Sequence, residues 1–228
     1  MKKKYYLVFD IETANSTDEP LVYDVGCAIC DKNGIIYDSL SLVISDIFDG
    51  EKELMSNAYY AAKLPLYYNG LANGSFIKKN FYNARVEILA LIKKYGVKEV
   101  FAFNADFDSK GLNFTQRWLT KSKYRWFFPY GLVKVHCIWH MACQVICTQK
   151  SYRLWCIKNG FFSKVGNILT DASTVYRYIS GQTDFEEQHT GREDVEIEVA
   201  ILAQCFRQKK AMDRSINRRC WMIPQIAR

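Results

Sequence analysis

Three short acidic stretches, far apart in the chain, carry residue types and spacings suited to divalent-cation chemistry. In YYLVFDIETAN, Asp10 and Glu12 stand two positions apart after an apolar run. The stretch FAFNADFD ends at Asp108, and in HTGRED His189 precedes Asp194 by five positions. Four carboxylates and an imidazole can hold two hard cations such as Mg²⁺ or Mn²⁺, which prefer oxygen ligands and retain waters. Two such ions can clamp the attacking and leaving oxygens of a phosphodiester. A histidine whose ordinary pKa is about 6.5 can take a proton from the attacking water.

These residues need elements that bring them together. Residues 5–11 read as a buried strand, and residues two apart on a strand share a face. Asp10 and Glu12 should therefore point one way while Phe9 and Ile11 enter the core. Two like charges on a central strand persist only with something positive between them. Asp108 follows the strand Lys98–Asn104 and should open a helix; Asp106, two residues earlier, is the competing acid. Thr190-Gly-Arg-Glu193 has the form of a capping box, which starts a helix at Gly191 and runs it to about Lys210. Asp194 then sits in the first turn, where the helix dipole favours a carboxylate. Five residues on a continuous helix are about 140° apart, so His189 must lie on the preceding loop to converge with Asp194.

The remaining pattern supplies strands at 22–30 and 35–44, joined by an Asp31-Lys-Asn-Gly34 hairpin turn. Helices are expected at 51–62, 82–95, 137–148, 151–158 and 170–179, and a short strand at 133–136. Residues 65–80, with Pro65, two glycines and three asparagines, read as a loop. Strands first, then strands alternating with helices, predict an α/β fold with a mixed sheet and helices on both faces. No linker divides the chain, so residues 1–228 are expected to form a single domain.

Composition narrows the setting. The chain has 228 residues, 49% apolar and 24% charged, with a formal net charge of +7, which favours an anionic partner. Residues 207–228 carry seven Lys/Arg (Arg207, Lys209, Lys210, Arg214, Arg218, Arg219, Arg228) against Asp213 alone. On a chain with a nuclease-like site, this basic tail is expected to meet nucleic acid. The start, MKKKYYLVFD, is too short in apolar residues for a secretory core, and no run approaches a membrane span. Eight cysteines without an export signal point to free buried thiols in a reducing cytoplasm.

The three motifs in order resemble those of the DEDDh 3′–5′ exonucleases of the DnaQ-like superfamily, which have an RNase H-like fold. FDIETAN resembles the family's D-x-E, NADFD its N-A-x-F-D and HTGRED its H-x₄-D, and the resemblance covers about residues 5–206. It implies a five-stranded sheet with one antiparallel strand. It implies that Asp10, Glu12, Asp108 and Asp194 bind two Mg²⁺ or Mn²⁺ ions, that His189 is the general base, and that the motif neighbours Thr13, Asn104 and Phe107 contact substrate. The implied activity is removal of nucleoside 5′-monophosphates from a 3′ end. Three positions depart from the pattern: Phe103 stands where a histidine is common, Gly191 where alanine is usual, and Asp106 adds an acid. Single-stranded DNA is the expected substrate. An exoribonuclease, a binding module without turnover, and a proofreading partner of a polymerase are the other readings.

Two further segments could bind. Residues 113–134 hold five Lys/Arg, no acids and seven aromatics; basic groups meet phosphates and aromatic faces stack on unpaired bases. About half of these aromatics are expected in the core, and Arg117, Lys121, Lys123 and Arg125 are the substrate-binding candidates. The run His136, His140, Cys143, Cys147 shares a helical face and could contribute zinc ligands, although one rigid helix cannot surround an ion tetrahedrally. Cys27 and Cys30 should point to opposite faces of a strand, which argues against a zinc knuckle.

Overall fold

A computed structural model describes residues 3–123, 125–187 and 189–226; Arg228 of the basic tail and Tyr124 of the aromatic segment lie outside them. Strands β1 (Tyr6–Ala14), β2 (Leu21–Cys30) and β3 (Ile36–Ile44) form an antiparallel meander. The β2–β3 turn closes where expected, with the Gly34 N–H donating to the Asp31 carbonyl at 3.0 Å and Gly34 at a φ of 85° that glycine adopts without strain. Helices α1 (Ser45–Phe48), α2 (Lys52–Ser56) and α3 (Leu64–Asn73) lead to β4 (Ile77–Lys79). Helix α4 (Phe81–Tyr95) leads to β5 (Glu99–Ala102), α5 (Ala105–Thr120) and β6 (Lys134–Cys137). Helices α6 (Ile138–Val145), α7 (Lys150–Asn159), α8 (Ala172–Ser180), α9 (Gly191–Arg207) and α10 (Ile223–Ile226) complete the order.

The sheet order is β4-β3-β2-β1-β5-β6. Only β2 runs against the others, since β1–β5, β5–β6 and β3–β4 pair in parallel. The expected mixed α/β sheet is therefore present, with a sixth strand. That strand comes from the segment expected to be a loop. Pro65 sits at the start of α3, where its missing N–H costs nothing, and Gly74 ends the helix with a φ of 79°. Pro65 and Gly74, which read as breakers, are helix boundaries, while Asn69 and Gly70 lie within α3. The helix expected over 51–62 is instead the short α2 followed by a 3₁₀ turn at Ala61–Lys63.

Alternation along β1 divides the core. Leu7, Phe9 and Ile11 join an apolar cluster with α4 and α5 residues such as Ile88 and Leu112. Tyr6 and Val8 join a second cluster with Met141, Val195 and Ile201 of α6 and α9. Cys27 and Cys30 fall in different clusters, as strand alternation requires. All eight cysteines are free and buried.

The basic segment after α9 is docked rather than trailing. Arg214 pairs with Glu99 at 3.0 Å and Arg218 with Asp106 at 2.7 Å. The Arg214 carbonyl accepts the Cys137 N–H at 3.0 Å, and Cys220 is fully buried. Part of its charge is thus neutralised within the chain. No helix among the described residues is long and apolar enough to cross a membrane.

Candidate active site

The C-terminal half of β1 carries Asp10 and Glu12 into a cleft of roughly 390 Å³ at the mouth between α5 and α9. Asp108, Asp194 and His189 line the same cleft, with Asn104, Phe107, Thr13, Tyr59, Tyr60, Glu187 and Glu198. Glu12, His189 and Asp194 offer ligand atoms that all lie within 4.8 Å of one another. All five acidic and imidazole groups proposed from the motifs are brought together.

Local structure explains how each arrives. Helix α5 begins at Ala105, three residues earlier than the sequence suggests, so Asp108 is inside the first turn, its N–H donating to the Asn104 carbonyl at 3.1 Å. It is buried, 3% exposed. Asp106 pairs with Arg218, and of the two acids Asp108 is the one that lines the cleft. Gly111 lets α5 lie close to β1: a Cβ there would meet Ile11 Cδ1 at 2.4 Å.

The third motif folds as a capped helix start. The Thr190 hydroxyl accepts the Glu193 N–H at 3.4 Å, and Asp194 lies in the first turn of α9. His189 stands on the loop before it with a φ of 53°, a left-handed conformation uncommon outside glycine, though asparagine, aspartate and histidine adopt it more often than other residues. Its ring stacks on Tyr60, centroids 4.8 Å apart, and Nδ1 lies 3.6 Å from Glu187 Oε2. Ser173 of α8 donates to that same Glu187 oxygen. Gly191 is where an alanine would be expected. A Cβ there would lie 2.5 Å from the Gly26 nitrogen, so glycine lets α9 dock directly on β2. Asp24, opposite Glu12 in the β1–β2 pairing, secures that contact by accepting the Gly191 N–H at 2.9 Å and the Tyr67 hydroxyl at 2.7 Å.

The electrostatics are those of crowded, buried like charges. Burial first, then Glu198, Asp108 and Glu12, push Asp10 well above the usual carboxylate range. Burial and Asp24 push Glu12 up to about 9, with Lys63 opposing. Burial, Asp10 and Glu187 push Asp194 up to about 11. Desolvation likewise lowers His189 below 6.5. Asp10 Oδ2, Asp108 Oδ2 and Asp194 Oδ1 are shielded from solvent with no hydrogen-bond partner among the described residues. Buried polar atoms are ordinarily satisfied, and a divalent cation both satisfies carboxylate oxygens and reverses this charge balance. The four carboxylates, a hard oxygen donor set, fit Mg²⁺ or Mn²⁺.

Other expectations fare differently. Thr13, Asn104 and Phe107 line the cleft, whereas the four basic candidates do not. Arg117, Lys121 and Lys123 line a separate shallow groove with Phe114 and Trp118. Arg117 and the C-capping Lys121 stand at the far end of α5, roughly 14–20 Å along the helix from Asp108 at 1.5 Å per residue, and Lys123 lies just beyond it. Arg117 lies over Trp126 and Lys121 over Trp118. Of the aromatics, Phe127 is core, while Trp118, Trp126 and Tyr130 are exposed.

The zinc reading fails on geometry. His136 belongs to β6 and pairs with Glu99 at 3.2 Å. His140 Nδ1 bonds the Ser215 carbonyl at 2.8 Å. Among the described residues, these His and Cys side chains form no group able to hold a metal.

Sequence reasoning missed Glu198, Glu187 and the Tyr59–Tyr60 pair. Glu198 was detectable, because four residues after Asp194 on a helix is the same face.

No family model matches the sequence, and no curated protein does. Solved structures do match. E. coli exonuclease I with a 5cy-dT13 oligonucleotide superposes with a TM-score of 0.53 at 9% identity, over 90% of this chain and 42% of that one. The same enzyme with a 5cy-dA13 oligonucleotide gives 0.52 at 11%, over 90% and 42%. With a dA16 oligonucleotide it gives 0.51 at 10%, over 87% and 40%. The chain spans less than half the length of these structures. The shared architecture is the RNase H-like fold, in agreement with the resemblance carried by the three motifs.

Proposed function

We propose that this chain is a metal-dependent 3′–5′ exonuclease of the DEDDh type, acting on single-stranded DNA ends to release 5′-mononucleotides. The observation that carries the proposal is the convergence of Asp10, Glu12, Asp108, Asp194 and His189 in one cleft, with buried carboxylate oxygens that lack partners.

Asp10, Glu12, Asp108 and Asp194 would hold two divalent cations, which supply charge neutralisation at the scissile phosphate and acidify a bound water. His189 takes the proton of the attacking water. Desolvation keeps its imidazole neutral and ready to accept. Glu187 beside Nδ1 orients the ring and leaves Nε2 for the water. Thr13, Asn104 and Phe107 line the space for the terminal nucleotide. Tyr59, 89% exposed at the rim, offers a face on which an unpaired base can stack. Arg117, Lys121, Lys123 and Arg125 would meet phosphates further back along the strand. The matched exonuclease I structures hold DNA oligonucleotides, which supports DNA over RNA.

The test is digestion of 5′-labelled DNA and RNA single strands in Mg²⁺, Mn²⁺ or EDTA, with Asp10→Ala as control. Stepwise shortening of DNA from the 3′ end, lost in EDTA and in Asp10→Ala, is expected. Degradation of RNA alone would move the substrate assignment, and binding without nucleotide release would overturn the activity.

A further inference from the structure

Glu198 is a buried acid that none of the three motifs accounts for. It lies one helical turn beyond Asp194 on α9 and is 2% exposed. It lines the cleft with Asp10, Asp108 and Asp194. Its Oε2 is shielded from water and has no hydrogen-bond partner among the described residues. The backbone of Phe103, just past the end of β5, lies close enough to its carboxylate to favour the charged form, and the side chain lines the cleft.

Packing alone does not call for an acid here. The neighbours along this face of α9, Val195, Ile201 and Leu202, are apolar and buried, and an isolated buried carboxylate costs several kcal/mol unless something positive compensates it. The charged groups that act most on Glu198 are Asp108, Asp194 and Glu187, and Glu198 in turn acts on Asp10; all are acids. No lysine or arginine ion pair reaches it among the described residues. Left alone, such a buried carboxylate takes up a proton instead; for Glu198 to carry its charge, the balancing cation has to come from outside the chain.

We propose that Glu198 is a fifth carboxylate of the cation site, contributing to the binding of Mg²⁺ or Mn²⁺ with Asp10, Glu12, Asp108 and Asp194. The inference rests on the two-cation reading above and goes beyond the motif set. It gives the site one more negative charge than those four acids supply. The consequence is reciprocal: the metal-free protein carries more internal repulsion, and the loaded protein holds its ions more firmly.

The test is Mn²⁺ titration by calorimetry of the wild type, Glu198→Gln and Glu198→Leu, with melting temperatures in EDTA and in Mn²⁺. Glutamine keeps the shape and the Phe103 contact while removing the charge. The expected result for Glu198→Gln is Mn²⁺ affinity weakened roughly ten- to hundred-fold. Its melting temperature should be higher than wild type in EDTA and gain less from Mn²⁺. If wild type and Glu198→Gln bind Mn²⁺ equally, the fifth-ligand assignment is wrong while the nuclease reading stands. If the wild type binds no Mn²⁺, both fall. Glu198→Leu distinguishes charge from packing. An EDTA melting temperature raised in both variants supports charge crowding, whereas one lowered in both marks Glu198 as a structural contact and overturns the proposal.

Discussion

The backbone of Gly191 occupies the space that a side chain on Gly26 would need: a Cβ at Gly26 would fall 1.7 Å from the Gly191 carbonyl oxygen. Gly26 pairs with Asp10 across the β1–β2 ladder. The same contact therefore sets the height of α9 above the carboxylates of β1.

Gly26→Ala should consequently push the start of α9 off the sheet. Backbone atoms cannot move aside as a flexible side chain can, so the cost should meet or exceed the usual range for overpacking, about 1–3 kcal/mol. Urea denaturation would measure it. Nuclease rate should fall more than stability predicts, because Asp194 and His189 move with the helix. A variant of wild-type stability and rate would show that α9 is not seated by this contact.

His189→Ala should lower the rate by roughly 10²–10⁴ and leave Mn²⁺ affinity nearly intact, as calorimetry would show. Because desolvation holds this imidazole below 6.5, its neutral form persists to lower pH. The acid limb of the kcat/KM profile should then lie below 6.5 and vanish in the variant. A limb unchanged in His189→Ala would assign it to another group.

The metal-free protein should lose stability as pH rises. An acid whose pKa is raised on folding binds its proton more tightly in the native state, so its contribution is present at low pH and fades as pH climbs. Asp24 is raised by burial to about 6 and Glu12 to about 9, from 3.8 and 4.5 respectively. Between roughly pH 4 and pH 9, melting temperature in EDTA should therefore fall, and Mn²⁺ should flatten the decline. Calorimetry at pH 5 and pH 8 checks the sign. A melting temperature in EDTA that rises over this interval would refute it.

Neutralising Arg117, Lys121, Lys123 and Arg125 should weaken oligonucleotide binding and flatten its salt dependence by roughly 0.7 per lost phosphate contact. Fluorescence anisotropy at several salt concentrations gives the slope. An unaltered slope would leave this end of α5 as scaffold.

Much of this was legible because it depends on local periodicity. The apolar run before Asp10, the Asp31–Gly34 turn and the Thr190 cap each declare an element from a few adjacent residues. Helix α3 and strand β4 escaped because Pro65 and Gly74, read as loop signals, are helix ends whose partner strand β3 is distant in sequence. Arg214 and Arg218 read as part of a basic tail that would meet nucleic acid. Their partners Glu99 and Asp106 are far away along the chain, and no spacing rule joins them. Glu198 lies outside the H-x₄-D spacing, on the helical face one turn beyond Asp194.

The docking of α9 on β2 bears on how the protein is made. Asp10 is made well before Asp194, so a chain interrupted between them carries some of these acids without the cleft that gathers them. Until α9 closes over β2, Asp194 and His189 are missing from the cleft and the set of acids proposed to hold cations is incomplete.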